Sequence, residues 1–85
     1  MEVELHHSFL KSFKKLPKKI RIRFVERKNL FIENPHHPIL NNHSVGKKFP
    51  GCRSINVTGD YRAIFEEKGN QVLFLLIGTH SELYG

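Results

Sequence analysis

The stretch CRSINVTGDYRAIFEEKGNQVLFLLIGT, residues 52–79, decides the fold. Residues 52–57, 61–66 and 71–77 are rich in β-branched and aromatic side chains. They are separated by Thr58-Gly59-Asp60 and by Lys68-Gly69-Asn70. Glycine beside Asp or Asn between apolar runs is a hairpin signal, so the three runs read as a three-stranded antiparallel meander. Val72 to Ile77 is apolar without alternation, which predicts an inner strand covered on both faces.

Upstream, residues 34–51 hold Pro35, Pro38 and Pro50, with Asn41, Asn42 and no sustained period, and predict a long ordered surface loop. Before it the chain is ambiguous. Ile20, Ile22 and Phe24 alternate with Arg21 and Arg23 as a strand would, yet Ile20, Phe24 and Phe31, with Val25 and Ile32 beside them, also form one broad helical stripe. Asn34-Pro35 supplies a helix stop, and helix is the reading adopted. Pro17 suits the first position of that helix, so a shorter helix carrying Phe9, Leu10, Phe13 and Leu16 ends at Leu16, with Ser8 as its expected N-cap. Val3 and Leu5 alternate with Glu2 and Glu4 as a first strand. The expected architecture is α+β: an N-terminal strand, a helical hairpin, then the meander, with the helices on one face of a small, mainly antiparallel sheet.

Eighty-five residues suit a single domain, 1–85, with one modest core. The formal net charge is +6, with an isoelectric point near 9.8, which favours polyanionic partners and nucleic acid first. The excess is concentrated: Lys11, Lys14, Lys15, Lys18, Lys19, Arg21, Arg23, Arg27 and Lys28 are opposed between them only by Glu26. The lone cysteine, Cys52, suits a reducing compartment, and cytoplasm is the expected location. Met1 to His7 lacks the apolar core of a signal peptide, and no run approaches the ~18 apolar residues of a membrane span.

No phosphate-binding glycine loop, His-Glu-x-x-His or Gly-x-Ser-x-Gly motif is present, so any catalysis must come from dispersed groups. Adjacent histidines such as His36 and His37 rarely chelate one ion, and neither metal nor cofactor is expected. His80 follows the exit of the last strand and reads as an acid or base, or as an ordinary turn histidine. Asp60 lies in a hairpin turn, where Asp is common. Arg53 and Arg62, inside strands, either meet an anion such as phosphate or reach solvent at the sheet rim. Lys47 and Lys48 could touch a nucleic-acid backbone or simply be solvated. Tyr84 could stack on a base or pin the C-terminal segment. Cys52 reads as a small buried residue rather than a nucleophile.

Taken together, His43-Ser44-Val45-Gly46, Gly51-Cys52-Arg53-Ser54, Gly59-Asp60-Tyr61-Arg62-Ala63-Ile64-Phe65 and Gly78-Thr79-His80-Ser81-Glu82-Leu83-Tyr84-Gly85 resemble the RelE/ParE toxin superfamily, most closely its YafQ-like branch. The resemblance implies a RelE-like twisted sheet and a type II toxin. Its implied activity is that of a ribosome-dependent, metal-independent endoribonuclease, or mRNA interferase. Such an enzyme cuts messenger RNA in the A site by attack of a ribose 2'-hydroxyl on the adjacent phosphate, inhibiting translation until a cognate antitoxin neutralises it. On this resemblance His43, Asp60 and His80 match acid–base positions, Arg62 a phosphate-stabilising arginine, and Tyr84 the C-terminal aromatic. Lys47, Lys48, Arg53 and Tyr61 are the RNA-binding candidates, and the basic stretch 11–28 would face ribosomal RNA. Two positions depart from the branch: Asn56 stands where it has a further histidine, and Tyr61 where it has tryptophan. Asn56 cannot exchange a proton near pH 7, which shifts acid–base work to His43, Asp60 and His80. The rivals are a ParE-like poison of DNA gyrase, which shares the fold without nuclease residues, and a non-catalytic relative that binds RNA or antitoxin.

Overall fold

A computed structural model describes residues 1–85. Five strands, β1 (Glu2–Leu5), β2 (His43–Ser44), β3 (Cys52–Asn56), β4 (Tyr61–Lys68) and β5 (Gln71–Thr79), form one sheet in the order β1-β5-β4-β3-β2. Helices α1 (His7–Phe13) and α2 (Lys18–Glu33) separate β1 from β2, and a five-residue α3 (His80–Tyr84) follows β5. The α+β class, the helical hairpin and the antiparallel meander of β3, β4 and β5 are as expected, with β1 pairing parallel to β5. The β4–β5 turn is made at Gly69, whose φ of +59° is a conformation glycine adopts without the clash a Cβ would bring.

Local expectations are corrected at several points. Residues 34–51 are more than a loop: a 3₁₀ turn at Pro38–Leu40 leads into β2, which pairs antiparallel with β3 through His43↔Ser54 and Ser44↔Arg53. A two-residue strand has no period of its own and exists only through its partner. The α1 N-cap is His6, not Ser8. The His6 Nδ1 accepts the Ser8 amide at 3.1 Å, and the Ser8 hydroxyl instead reaches the Leu75 carbonyl at 3.0 Å.

Pro17 sits one step before the first turn of α2, as its N-cap, and its carbonyl accepts the Ile20 and Arg21 amides. The stripe of α2 is narrower than expected. Phe24 and Phe31 are buried, while Val25 and Ile32 are exposed together with Ile22. The exposure of Ile22 rules out the strand reading of residues 20–24, in which it would have shared a face with Phe24.

The main core lies between the sheet and the two longer helices. Phe74 on β5 is fully buried, and its ring centroid lies 5.4 Å from Phe24, 5.3 Å from Phe65, 5.8 Å from Phe31 and 5.9 Å from Phe9. The opposite face carries a smaller cluster of Val45, Cys52 and Ile64, with Phe49, Leu75, Leu76, Leu83 and Tyr84 packed around it. A bulge serves both faces: Ile64 pairs with Leu76 and Phe65 with Phe74, leaving Leu75 as an extra residue. Leu75 and Leu76 therefore both join the smaller cluster while Phe74 and Ile77 stay in the main core. This second cover supports β5 as an inner strand and leaves one end of that face open.

Candidate functional site

The open end is a cavity of about 540 Å³ lined by His43, Ser44, Val45, Gly46, Lys47, Lys48, Ser54, Arg62, His80 and Tyr84. These residues come from four parts of the fold. β2 delivers His43, and the turn after it, closed by the Val45 carbonyl accepting the Lys48 and Phe49 amides at 3.1 and 2.9 Å, delivers Lys47 and Lys48. β3 supplies Ser54, β4 supplies Arg62, and α3 supplies His80 and Tyr84. The lining contains two lysines, an arginine and two histidines, and no carboxylate. In such an open cleft, uncompensated cationic groups favour an anionic ligand.

The geometry at each group narrows what it can do. His43 Nδ1 lies 2.7 Å from the Asn41 carbonyl. A carbonyl only accepts, so Nδ1 carries the hydrogen, and in the neutral ring Nε2 keeps its lone pair for a proton. Arg62 donates through Nη1 to the Thr58 and Tyr61 carbonyls at 2.9 and 3.1 Å, and through Nη2 to the Gly59 carbonyl at 3.1 Å. Those bonds use three of the five guanidinium hydrogens, leaving Nε and one hydrogen of Nη2 free for an anion. The guanidinium is thus fixed by the very turn that joins β3 to β4.

His80 and Tyr84 stand one helical turn apart on α3, their ring centroids 4.8 Å apart, and Tyr84 packs edge-on against Phe49 at 5.8 Å. A helix of five residues does not hold itself together. Here a capping box does so: Thr79 Oγ1 accepts the Glu82 amide at 3.1 Å, and Glu82 Oε1 accepts the Thr79 amide at 2.7 Å. The Thr79 amide first, and then the Thr79 hydroxyl, hold the Glu82 carboxyl below its ordinary value of 4.5. Gly78 permits the arrangement, since a Cβ there would meet Glu82 Oε1 at 3.3 Å.

Of the residues singled out from sequence, His43, Lys47, Lys48, Arg62, His80 and Tyr84 come together in the cavity, whereas Asp60, Tyr61 and Arg53 do not line it. Asp60 sits in the β3–β4 turn, where its backbone carbonyl accepts the His80 amide at 3.0 Å. Tyr61 packs against the main core and borders a neighbouring cleft with Leu16, Pro17 and Leu83. Arg53 is one residue out of phase with Ser54 along β3, and its Nε donates to Asn42 Oδ1 at 2.8 Å. Asn56 lies in another cleft, of about 220 Å³, with Arg23 and Arg27. Cys52 is buried, and burial first, then the Glu66 carboxylate, raises its thiol above the ordinary value of 9.0. Ser54 was not foreseen; its signal is a small hydroxyl residue in phase with Cys52 on a strand whose neighbours are buried. No three His, Cys, Asp or Glu side chains converge as a metal site would require, and no helix is long and apolar enough to cross a membrane.

Compared with known proteins, the chain matches over residues 3–84 the family described as ParE toxin of type II toxin-antitoxin system, parDE. No curated protein matches it at a significant level. Among solved structures it is similar to YafQ from E. coli, at 23% identity and a TM-score of 0.83, over 99% of this chain and 98% of that one. It is also similar to a copper-bound mutant toxin from Helicobacter pylori, at 21% identity and a TM-score of 0.73 over 98% of each chain. The E. coli DinJ-YafQ toxin-antitoxin complex matches at 20% identity with a TM-score of 0.75, over 99% of this chain and 97% of that chain. At these identities the likeness shows a shared fold.

Proposed function

Because the chain belongs to the ParE toxin family of type II toxin-antitoxin systems, we propose that it is the toxin of such a pair and acts as a ribosome-dependent endoribonuclease on messenger RNA. The observation that carries this reading is the cavity with two histidines, three cationic side chains and no carboxylate. A gyrase poison working by surface contact has no need of such a set, whereas cleavage of a phosphodiester uses every member of it.

The proposed step is transesterification. The 2'-oxygen bonds to phosphorus as the bond to the 5'-oxygen breaks, leaving a 2',3'-cyclic phosphate and a 5'-hydroxyl. His43, with Nε2 unprotonated, takes the proton from the 2'-hydroxyl, and His80 in its protonated form gives one to the departing 5'-oxygen. The free edge of Arg62, with Lys47 and Lys48, meets the charge that grows on the non-bridging oxygens. Tyr84 offers a face for a base. Asp60 serves as a positioning residue, its carbonyl holding the start of α3 and hence His80. The ribosome aligns the message, and a cognate antitoxin is the partner that restrains the protein.

The test adds purified protein to ribosomes translating a defined message and maps the new 5' ends. Cuts that require the ribosome and fall at least ~100-fold in His80→Ala and His43→Ala support the reading. The second reading, a gyrase poison, is favoured by the name of the matched family. An intact message together with inhibited DNA supercoiling by purified gyrase would establish it instead.

A further inference from the structure

We propose that Ser54 is a phosphate-contacting residue of this cavity, its hydroxyl donating a hydrogen bond to a non-bridging phosphate oxygen of the ligand held there. The inference rests on the nuclease reading only in naming that phosphate as the scissile one.

Ser54 is 1% exposed, and it is the one polar residue among the fully buried side chains. Its Oγ has no hydrogen-bond partner within the protein. A buried hydroxyl left unpaired weakens a fold, and serine in a strand is readily replaced by alanine without disturbing the backbone ladder. Ser54 nevertheless lines the cavity, with its hydroxyl oxygen just beneath the wall and closed to solvent, so a ligand oxygen must press into the wall to meet it. Across the β2–β3 ladder it stands directly opposite His43. Residues so paired hold their Cβ atoms roughly 5 Å apart, close enough for both side chains to reach one phosphodiester. Two positions along the same strand, Asn56 is the partner of Arg62 on β4. Directly across from Ser54 on β4 stands Ile64, so Ser54 faces the histidine on β2 and has the arginine diagonally placed on β4.

The surroundings also decide which way the hydroxyl works. Every charged group on the wall is cationic, so the missing partner is an acceptor carried by the ligand, and the hydroxyl can turn to donate to it. In the transesterification the non-bridging oxygens gain negative charge as the 2'-oxygen bonds to phosphorus, and a donor fixed by the sheet strengthens its bond at that moment without reorganising.

The experiment compares single-turnover cleavage of an A-site message by the wild-type chain and Ser54→Ala, with the target phosphate either unmodified or replaced by each phosphorothioate diastereomer. Loss of one neutral donor predicts cleavage slower by about 100-fold or more on the unmodified phosphate. The thermal midpoint of Ser54→Ala should be no lower than wild type, because the substitution removes an unpaired buried hydroxyl. On the diastereomer whose sulfur replaces the acceptor of Ser54, the two proteins should come within about threefold of each other, the behaviour of two changes to one contact. Equal rates on the unmodified phosphate, or penalties that multiply on both diastereomers, would overturn the assignment. Should the wild-type chain leave the message intact, the nuclease reading fails and Ser54 is judged by inorganic phosphate. Amide shifts at residues 54 and 62 that saturate in wild type and weaken at least about fivefold in Ser54→Ala support it, and equal titrations overturn it.

Discussion

Replacing Phe74 with alanine tests whether the packing on the helical face is what holds this chain together. Its ring is fully buried and in aromatic contact with four others, from α1, α2 and β4. Truncating a phenylalanine so placed removes its transfer energy and leaves a cavity, together about 3–5 kcal/mol. The ring pairs lie at the upper end of that range because each adds roughly 0.5–1.5 kcal/mol beyond burial. For a chain of this length the whole stability is on the order of 4–13 kcal/mol. Phe74→Ala should therefore lose about 4–5 kcal/mol, and at ~4–8 °C per kcal/mol its thermal midpoint should fall by at least ~15 °C. Urea unfolding followed by far-ultraviolet circular dichroism gives the number, with Ile22→Ala as the control. Ile22 is 53% exposed and should cost under about 0.5 kcal/mol. A Phe74→Ala loss below about 1 kcal/mol, or equal losses for the two variants, would refute the view that the Phe74 aromatic cluster is the stabilising core.

Other outcomes follow from the site. Arg62→Lys should cut ribosome-dependent cleavage by about 10-fold or more, since lysine cannot hold three turn carbonyls while presenting a free edge to phosphate. Retained activity would show that a point charge suffices. Cys52 should react with iodoacetamide at pH 7 far more slowly than free cysteine, because its thiol is buried and its ionisation is pushed up. The Glu82 carboxyl is lowered in the folded chain, so its support of α3 is complete above the ordinary value of 4.5 and disappears as pH falls through the lowered one. Amide exchange across residues 80–84 should therefore accelerate in acid before β4 and β5 are affected, and Thr79→Val should bring the same fraying to neutral pH.

What could be read from the residues alone divides along physical lines. The meander was legible because its turns carry Gly59 and Gly69 and its strands carry their own β-branched and aromatic patterns. β2 was not, since pairing with β3 alone makes it a strand. α3 left a trace that went unread: Thr79-x-x-Glu82 is a capping-box pattern, and it announces a helix start even where no apolar period follows. The His6 cap was obscured by a serine two residues later, the more familiar cap but here engaged with Leu75.

In the site, Lys47, Lys48, Arg62, His80 and Tyr84 stood out as residues and His43 through the resemblance alone, and their convergence depends on strand order, which no local pattern contains. Arg53 and Arg62 looked equivalent as strand arginines, yet strand alternation turns Arg62 toward the cavity and Arg53 toward Asn42. The value of Ser54 appears only when β2 and β3 are seen side by side.

The sheet order has one more consequence, for the birth of the molecule. β5 is the strand onto which β1 and β4 both pair, yet it is the last of the five to be synthesised. Until it emerges, β1 has no neighbour, and Phe9, Phe24 and Phe31 lack the Phe74 ring that joins them. Assembly must then be late and dominated by contacts distant in sequence, which slows folding and prolongs the exposure of apolar surface. The cavity needs β5 for the same reason, because His80 and Tyr84 follow it in the chain. A nascent chain interrupted before Gln71 would carry His43 and Arg62 without a frame to hold them, so the potential to do harm arrives only with the final strand.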